Sequence, residues 1–202
     1  MPILNAFPTL LYQGRLPRAG RLNRELKREI EILAQIDDEG RRWSRSNYQE
    51  GYSSYSSMTK LHLTSPGFGE LERLLRPHVK KYVQRLSWNL MGRKLGMTTC
   101  WANLMKKGCH HTMHTHPLSQ ISGVYYVSVP KGSSHFKIED PRLGFMMASP
   151  PRLAGASRFE QNYVQLAPKD GEFLLFESWL RHEVPPHRAT QPRFSVSFNF
   201  EF

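Results

Sequence analysis

The sequence contains little cysteine and no long run of apolar residues. Its two cysteines, Cys100 and Cys109, are too few for a disulfide framework in a chain of 202 residues and fit a reducing compartment. No stretch approaches the roughly 18 consecutive apolar residues that a membrane-spanning helix needs. The opening residues, MPILNAFPTLLYQG, lack the basic segment that begins a secretory signal peptide. We therefore expect a cytoplasmic protein with no membrane partner.

Acidic residues are also scarce. The 17 Asp and Glu residues stand against 28 Lys and Arg residues, which gives a formal net charge of +11. Such a balance fits nucleic acid, an anionic small molecule or solubility alone. The basic residues are scattered through segments such as RLPRAGRLNRELKRE and EGRRWSR and form no nucleic-acid-binding motif. The expected partner is an unknown substrate, a small molecule or a protein side chain rather than nucleic acid, and a homodimer is left open.

The length predicts a single domain, 1–202, whose first part, 1–95, is mainly a helical layer. Leu22, Leu26 and Ile30 recur at helical spacing. A second apolar stripe covers residues 69–88, where Pro77 should kink or divide the helix. The intervening segment SRSNYQEGYSSYSSMTK has no period and is interpreted as a loop, either a linker or part of the rim of a site.

From residue 96 onwards the pattern changes to short β-type runs. Turn signals separate eight of them, with no helical pattern between: TTCWANLM, HTMHTH, SGVYYVSV, HFKIE, NYVQLA, EFLLFE, HEV and RFSVSFNFEF. This predicts an α+β protein, in which a double-stranded β-helix (a jelly-roll, cupin-like barrel, 96–202) packs against the N-terminal helices. The long interruption at 140–161 is either a lid or a disordered loop. Its apolar residues would contact substrate or cover the end of the barrel: Phe145, Met146 and Met147.

Four histidines fall within the seven residues HHTMHTH, 110–116. Side chains alternate along a strand, so His114 and His116 should point to one face, into the barrel, and His111 to the other. Two imidazoles that face one cavity can share a metal ion, whose third protein ligand must come from elsewhere. His182, which follows the apolar strand FLLF and a short turn, is the best candidate. The alternatives are His135 and His187.

Two segments together resemble the catalytic barrel of the Fe(II)/2-oxoglutarate-dependent dioxygenases over residues 97–202. They are WANLMKKGCHHTMHTHPLSQISGVYYV and GEFLLFESWLRHEVPPHRATQPRFSVSFNF. In that family a glycine turn leads to an HxD pair, and a distal histidine precedes an RxS on the last strand. The chain is most similar to a small, little-characterised bacterial subfamily of 2-oxoglutarate oxygenases.

The resemblance implies a hydroxylase that uses Fe(II), 2-oxoglutarate and O2 and converts 2-oxoglutarate to succinate. It implies that Arg193 and Ser195 bind the far carboxylate of 2-oxoglutarate. The positions of Asn103 and Tyr126 match residues that contact this co-substrate. The metal ligands that it implies are His114, His116 and His182, with no catalytic residue beyond them.

One position departs from the family, because His116 stands where the family has Asp. The pattern is therefore HxH…H rather than the 2-His-1-carboxylate face that Fe(II) oxygenases usually present. We expect His116 to be a ligand. The alternative is that water or a distant carboxylate such as Glu139 completes the face.

Two other functions stay open at this point. A cupin-type metalloenzyme that does not use 2-oxoglutarate would fit Gly108 followed by the HxH pair, although Gln120 stands where a cupin has glutamate. That function would also leave Arg193 and Ser195 without a task. A non-catalytic metal-binding barrel is favoured only by the departure at His116.

Overall fold

The computed structural model describes residues 2–202. Four helices lie in the first half: α1 (Gly20–Ile36), α2 (Asp38–Asn47), α3 (Leu61–Thr64) and α4 (Pro66–Arg85). Two short strands accompany them, β1 (Tyr12–Arg15) and β2 (Gly51–Ser53). The second half contains β3 (Gly96–Met105), β4 (His111–His114), β5 (Ile121–Ser128), β6 (Phe136–Glu139), β7 (Tyr163–Leu166), β8 (Glu172–Glu177), β9 (His182–Val184) and β10 (Arg193–Glu201).

The strands form two antiparallel sheets. The larger has the order β1-β8-β5-β10-β3-β2 and the smaller has the order β4-β9-β6-β7. Apolar side chains from both sheets meet in one cluster, which joins Val124 and Phe176 of the larger sheet to Phe136 and Ile138 of the smaller. This arrangement confirms the predicted double-stranded β-helix, and each of the eight predicted strands is present.

The helices cover the outer face of the larger sheet. Leu26 and Ile30 of α1 are fully buried in the same core as Phe173 and Val196 of the sheet. This packing explains the apolar stripe in the sequence, since a surface helix buries one face only. Pro77 was expected to kink or divide its helix, and it does not divide it, since α4 continues through this residue to Arg85. None of the described helices is long and apolar enough to cross a membrane.

The segment 44–60 is not a linker. It contains the end of α2 and the strand β2, which extends the larger sheet by pairing with β3. Asp37, the residue before α2, holds the second half of the segment, since its buried carboxylate accepts hydrogen bonds from Tyr52 Oη and Ser57 Oγ as well as from the Gly40 N–H. These bonds anchor the segment to the start of α2.

Candidate metal centre

His114, His116 and His182 converge between the two sheets. His114 ends β4 and pairs directly with His182, the first residue of β9. The strand has ended before His116, whose backbone N–H donates to the Ser178 carbonyl at 2.9 Å. His114 and His116 therefore face one cavity, as expected, but His116 reaches it from a loop rather than from a continuous strand. The ligand nitrogens of the three residues all lie within 4.8 Å of one another.

The geometry of the cluster fits a divalent metal ion. His116 Nε2 and His182 Nε2 are 3.3 Å apart. Two nitrogens that each lie about 2.1 Å from a shared ion are separated by roughly 3.0 to 3.4 Å at ordinary coordination angles. His114 Nδ1 lies 2.7 Å from the Thr112 carbonyl and His182 Nδ1 lies 2.8 Å from the Leu180 carbonyl. Because Nδ1–H is the donor in each contact, the Nε2 lone pair of each ring is free for a metal.

The three imidazoles are held in the neutral form that binds metals. Burial lowers the pKa of His114, and it lowers the pKa of His182 well below the ordinary value. Burial, together with the neighbouring His114, lowers the pKa of His116 to about 4. Protons therefore compete little with a metal for these nitrogens near neutral pH.

His111 points into the site, contrary to the expectation that it faces away. The pairing of β4 with β9 is irregular between His111 and His114, so strict alternation fails there. The two imidazoles lie 4.0 Å apart between ring centroids, and Tyr48 packs edge-on against His111 at 5.7 Å. Burial, followed by the neighbouring histidines, lowers the pKa of His111 to about 3.

The other candidate ligands lie outside the cluster. His110 and His135 are exposed, and His187 is buried with its Nε2 hydrogen-bonded to the Gln191 carbonyl. The carboxylate of Glu139 forms an ion pair with Arg181 at 2.7 Å. No carboxylate of the described residues belongs to the group of potential ligands.

Arg193 is buried beside the histidines and has no carboxylate partner within residues 2–202. Its side chain is only 3 % exposed. Nη1 donates to the Ser134 carbonyl at 3.1 Å, Nη2 contacts Met105 Sδ, and Nε has no hydrogen-bond partner. A buried guanidinium ion is costly unless an anion pairs with it. This incomplete pairing fits the carboxylate of a ligand such as 2-oxoglutarate.

The other predicted co-substrate residues line the same cavity as Arg193 and the three histidines. Ser195 is paired with Asn103 of β3 on one side and with Tyr126 of β5 on the other. Asn103 Oδ1 accepts from Ser53 Oγ at 2.9 Å, and its Nδ2 donates to Ser197 Oγ at 3.0 Å. The unfilled space between these side chains is about 40 Å³.

The structure separates the loop residues Phe145, Met146 and Met147 from this site. None of them lines the metal cavity, and Phe145 and Met147 are 89 % and 95 % exposed. Cys109 is buried against Tyr48, and burial raises the pKa of its thiol to about 12. It is therefore a packed thiol rather than a thiolate ligand.

A second cavity of about 250 Å³ opens beside the metal centre and shares His111, His114 and His116 with it. Its walls include Trp43, Tyr55 and Trp101. Sequence reasoning missed these aromatic residues. The sequence did carry one signal for them, the density of aromatic side chains in WSRSNYQEGYSSY. Most of this stretch belongs to the segment that was interpreted either as a linker or as part of the rim of a site.

The model of the family described as "Putative 2OG-Fe(II) oxygenase" matches residues 99–199, and the chain belongs to this family. The matched region contains every residue of the candidate metal centre. Fe(II), 2-oxoglutarate and O2 are the cofactor and co-substrates of these enzymes, as the sequence predicted. The match favours a 2-oxoglutarate oxygenase over the cupin-type alternative. A search of curated proteins gave no match.

Solved structures show the same fold at low sequence identity. A prolyl-4-hydroxylase from Pseudomonas putida has 16% identity and a TM-score of 0.63, over 96% of this chain and 94% of that one. The epimerase SnoN, in complex with Fe3+, alpha ketoglutarate and nogalamycin RO, has 13% identity and a TM-score of 0.66, over 96% and 79%. A 2OG-Fe(II) oxygenase family oxidoreductase from Burkholderia pseudomallei has 17% identity and a TM-score of 0.50, over 68% of this chain and 59% of that one. This chain thus spans under two thirds of the last structure.

Proposed function

We propose that the protein is a hydroxylase within the 2-oxoglutarate oxygenase family. The observation that carries this proposal is the convergence of three neutral histidines with a buried arginine that lacks an anionic partner. Iron held at this site would supply the oxidation, in which O2 and 2-oxoglutarate give succinate and CO2, with one oxygen atom of O2 entering succinate and the other a C–H bond of the substrate. The residues of this chain bind and orient the reactants.

His114, His116 and His182 would hold Fe(II) through their Nε2 atoms. Phe136 and Phe176 pack against His182 with ring centroids 4.9 Å and 4.6 Å from it. These rings exclude water from one side of the centre and hold the imidazole in place. Three neutral ligands leave the full 2+ charge on the ion, whereas a carboxylate would reduce it to 1+. The three-histidine site of this chain should therefore attract the dianion 2-oxoglutarate strongly.

Arg193 would bind the far carboxylate of 2-oxoglutarate. Its planar guanidinium can offer two parallel N–H donors to a carboxylate. Ser195 lies two residues along β10 and therefore on the same face, where its hydroxyl can add a hydrogen bond. Tyr126, whose ring centroid lies 5.9 Å from the guanidinium, closes the cavity on the β5 side, and Asn103 closes it on the β3 side.

The test is an anaerobic titration. The protein is loaded with Fe(II), 2-oxoglutarate is added, and the visible charge-transfer band of the chelate is followed in wild type and in Arg193→Ala. We expect the band in both proteins, with at least tenfold more 2-oxoglutarate needed in the variant, since a buried charge-assisted pair contributes more than 1.4 kcal/mol. Bound iron without any band would contradict a role for 2-oxoglutarate.

The substitution His116→Asp tests the unusual third ligand. If His116 binds the ion, the aspartate variant should still bind stoichiometric iron, because it restores the usual facial arrangement. His116→Ala should bind iron more weakly than either protein. Equal iron content in all three would show that the position is not a ligand.

Hydroxylation itself is tested with isotopically labelled O2. A hydroxylated product gains one labelled oxygen atom by mass spectrometry, whereas an epimerised product has an unchanged mass.

We propose that the chain acts as one domain, 1–202, in the cytoplasm, on a small molecule or a protein side chain. The two buried free thiols support a reducing compartment. A homodimer remains an option that sedimentation analysis would decide.

A further inference from the structure

Trp43, Tyr55 and Trp101 form an aromatic box that leads from the surface to the metal ligands. The centroids of Trp43 and Tyr55 are 5.7 Å apart at 51°, and those of Tyr55 and Trp101 are 5.2 Å apart at 63°. Trp101 then stacks on His116 at 5.9 Å. Tyr55 is 48 % exposed and Trp101 only 3 %, so the box has an open edge and a closed floor. A group that enters at Tyr55 reaches the metal centre along Trp101.

The imidazoles in the walls of this cavity are neutral, because burial lowers the pKa of His111, His114 and His116. Among the described residues, neither Asp, Glu, Lys nor Arg lines it. Two of its polar side chains already have protein partners: Ser53 Oγ donates to Asn103, and Asn199 accepts from Ser122 Oγ and donates to Thr99 Oγ1. Recognition in the box therefore depends mainly on apolar and aromatic contact.

The size of the cavity limits the group that it can accept. Pockets for drug-sized ligands usually have volumes of about 300–1,000 Å³, and this cavity has about 250 Å³. It can hold one ring or one side chain, with the rest of a larger substrate outside. Tilted aromatic walls present ring faces to such a group from several directions.

We propose that the aromatic box is the substrate subsite and that it binds an uncharged ring, with the C–H bond to be oxidised directed towards His116. This inference rests on the proposed function, since a group bound in the box is a substrate only if the protein is an oxygenase. It names the class of group that the oxygenase accepts and the residues that select it, Trp43 and Tyr55 at the entrance and Trp101 at the floor.

The charges around the box exclude ionised groups. Aromatic faces can attract cations. Here, however, the guanidinium of Arg193 lies in the adjoining cavity, where the metal ion would add further positive charge, and no carboxylate of the described residues lines either cavity. Bound 2-oxoglutarate, a dianion, would offset two of these three positive charges, so a cation in the box would still face a net positive centre. An anion would lose its hydration in the box without an ammonium or guanidinium group to pair with.

The test uses three probes that share one ring and differ in charge: cyclohexanol, cyclohexylammonium and cyclohexanecarboxylate. Binding to the Zn(II)-loaded protein in the presence of 2-oxoglutarate is measured by NMR titration. We expect cyclohexanol to bind with a dissociation constant at least fivefold lower than either charged probe. Tyr55→Ala and Trp43→Ala should each raise that constant at least fivefold. The matched controls Tyr163→Ala and Trp179→Ala, at exposed aromatic residues outside both cavities, should leave it unchanged.

Three outcomes would overturn the proposed ring subsite, and a fourth would overturn the proposed function instead. Equal or tighter binding of cyclohexylammonium would show a cation cage, and unaltered binding in Tyr55→Ala and Trp43→Ala would place the ring elsewhere. Absence of cyclohexanol binding in a protein that binds Zn(II) and 2-oxoglutarate would remove the subsite and leave the proposed function intact. Cyclohexanol binding that depends on Tyr55 in a protein that fails to bind 2-oxoglutarate would remove the proposed function and leave the ring site.

Discussion

The buried guanidinium of Arg193 predicts that its replacement has a small effect on the stability of the free protein and a large effect on the response to 2-oxoglutarate. In the free protein this cation has one hydrogen bond, to the Ser134 carbonyl, and a contact with the sulfur of Met105. Its Nε has no partner among the described residues. The substitution Arg193→Met removes the bond but also removes the cost of burying an unpaired charge. We expect the two effects nearly to cancel, within about 1 kcal/mol.

The response to 2-oxoglutarate should differ much more. A ligand at 100 times its dissociation constant stabilises the folded state by about 2.7 kcal/mol. For a chain of this size each kcal/mol raises Tm by about 2–4 °C, so wild type loaded with metal should gain roughly 5–11 °C. Arg193→Met offers no donor to the far carboxylate, so its dissociation constant should be at least tenfold higher and its gain at the same concentration at most about 1.4 kcal/mol, or roughly 3–6 °C.

The assay is thermal unfolding with and without 2-oxoglutarate, in the presence of saturating Zn(II). The matched control is Arg73→Met, at an exposed arginine of α4, which should respond as wild type does. A loss of more than about 3 kcal/mol in the free Arg193→Met protein would show that the guanidinium is structural. An unchanged Tm gain with 2-oxoglutarate would show that the carboxylate binds elsewhere. Either result refutes the assignment.

Three further predictions concern the metal, the anchor of segment 44–60 and the barrel wall. His182→Ala should lose stoichiometric iron by elemental analysis, whereas His135→Ala, at an exposed histidine, should retain it. Asp37→Asn should destabilise the protein by about 1–3 kcal/mol in urea unfolding at pH 7, because the carboxylate accepts three hydrogen bonds. Although burial raises the pKa of Asp37, these bonds outweigh it and keep the pKa below the ordinary value. The contribution of the Asp37 carboxylate to stability is therefore present above about pH 4 and lost as the pH falls through the folded pKa. The free energies of unfolding of wild type and Asp37→Asn should then converge in acid. A difference between them that stays constant with pH would contradict this reasoning. Gly123→Ala should destabilise by about 1–3 kcal/mol in calorimetry, since its Cβ would lie 2.6 Å from a neighbouring carbonyl oxygen. Gly96→Ala, whose Cβ meets open space, should not, and equal stability of the two variants would contradict the steric reasoning.

The sequence could predict the elements whose signals are local. The stripe of Leu22, Leu26 and Ile30 indicates a helix because the period of an apolar face is set within a few turns. The eight strands of the barrel are bounded by turn signals that act over two to four residues. The strands β1 and β2 were missed, since YQGR and GYS are short and carry no apolar alternation. They are strands because the edges of the larger sheet supply their hydrogen-bond partners.

The candidate ligands were also available from the sequence, but their geometry was not. The close spacing of His114 and His116 indicates a metal site, and the apolar strand before His182 makes this residue the best third candidate. Only the fold decides that His111 turns into the cavity, because the irregular pairing of β4 with β9 breaks the alternation of side chains. It also decides that His116 faces His182 from a loop rather than from a strand.

The aromatic box belongs wholly to the tertiary structure. Trp43, Tyr55 and Trp101 come from α2, from the turn after β2 and from β3, and no local pattern predicts that their rings meet. The unpaired state of the Arg193 guanidinium also depends on the tertiary structure. It can be recognised only when the burial of the side chain and the donors and acceptors around it among the described residues are known. Chemistry carried by residue type and short spacing is determined by the sequence itself. Chemistry that depends on contacts between distant segments is decided by the packing of the two sheets and the helices against them.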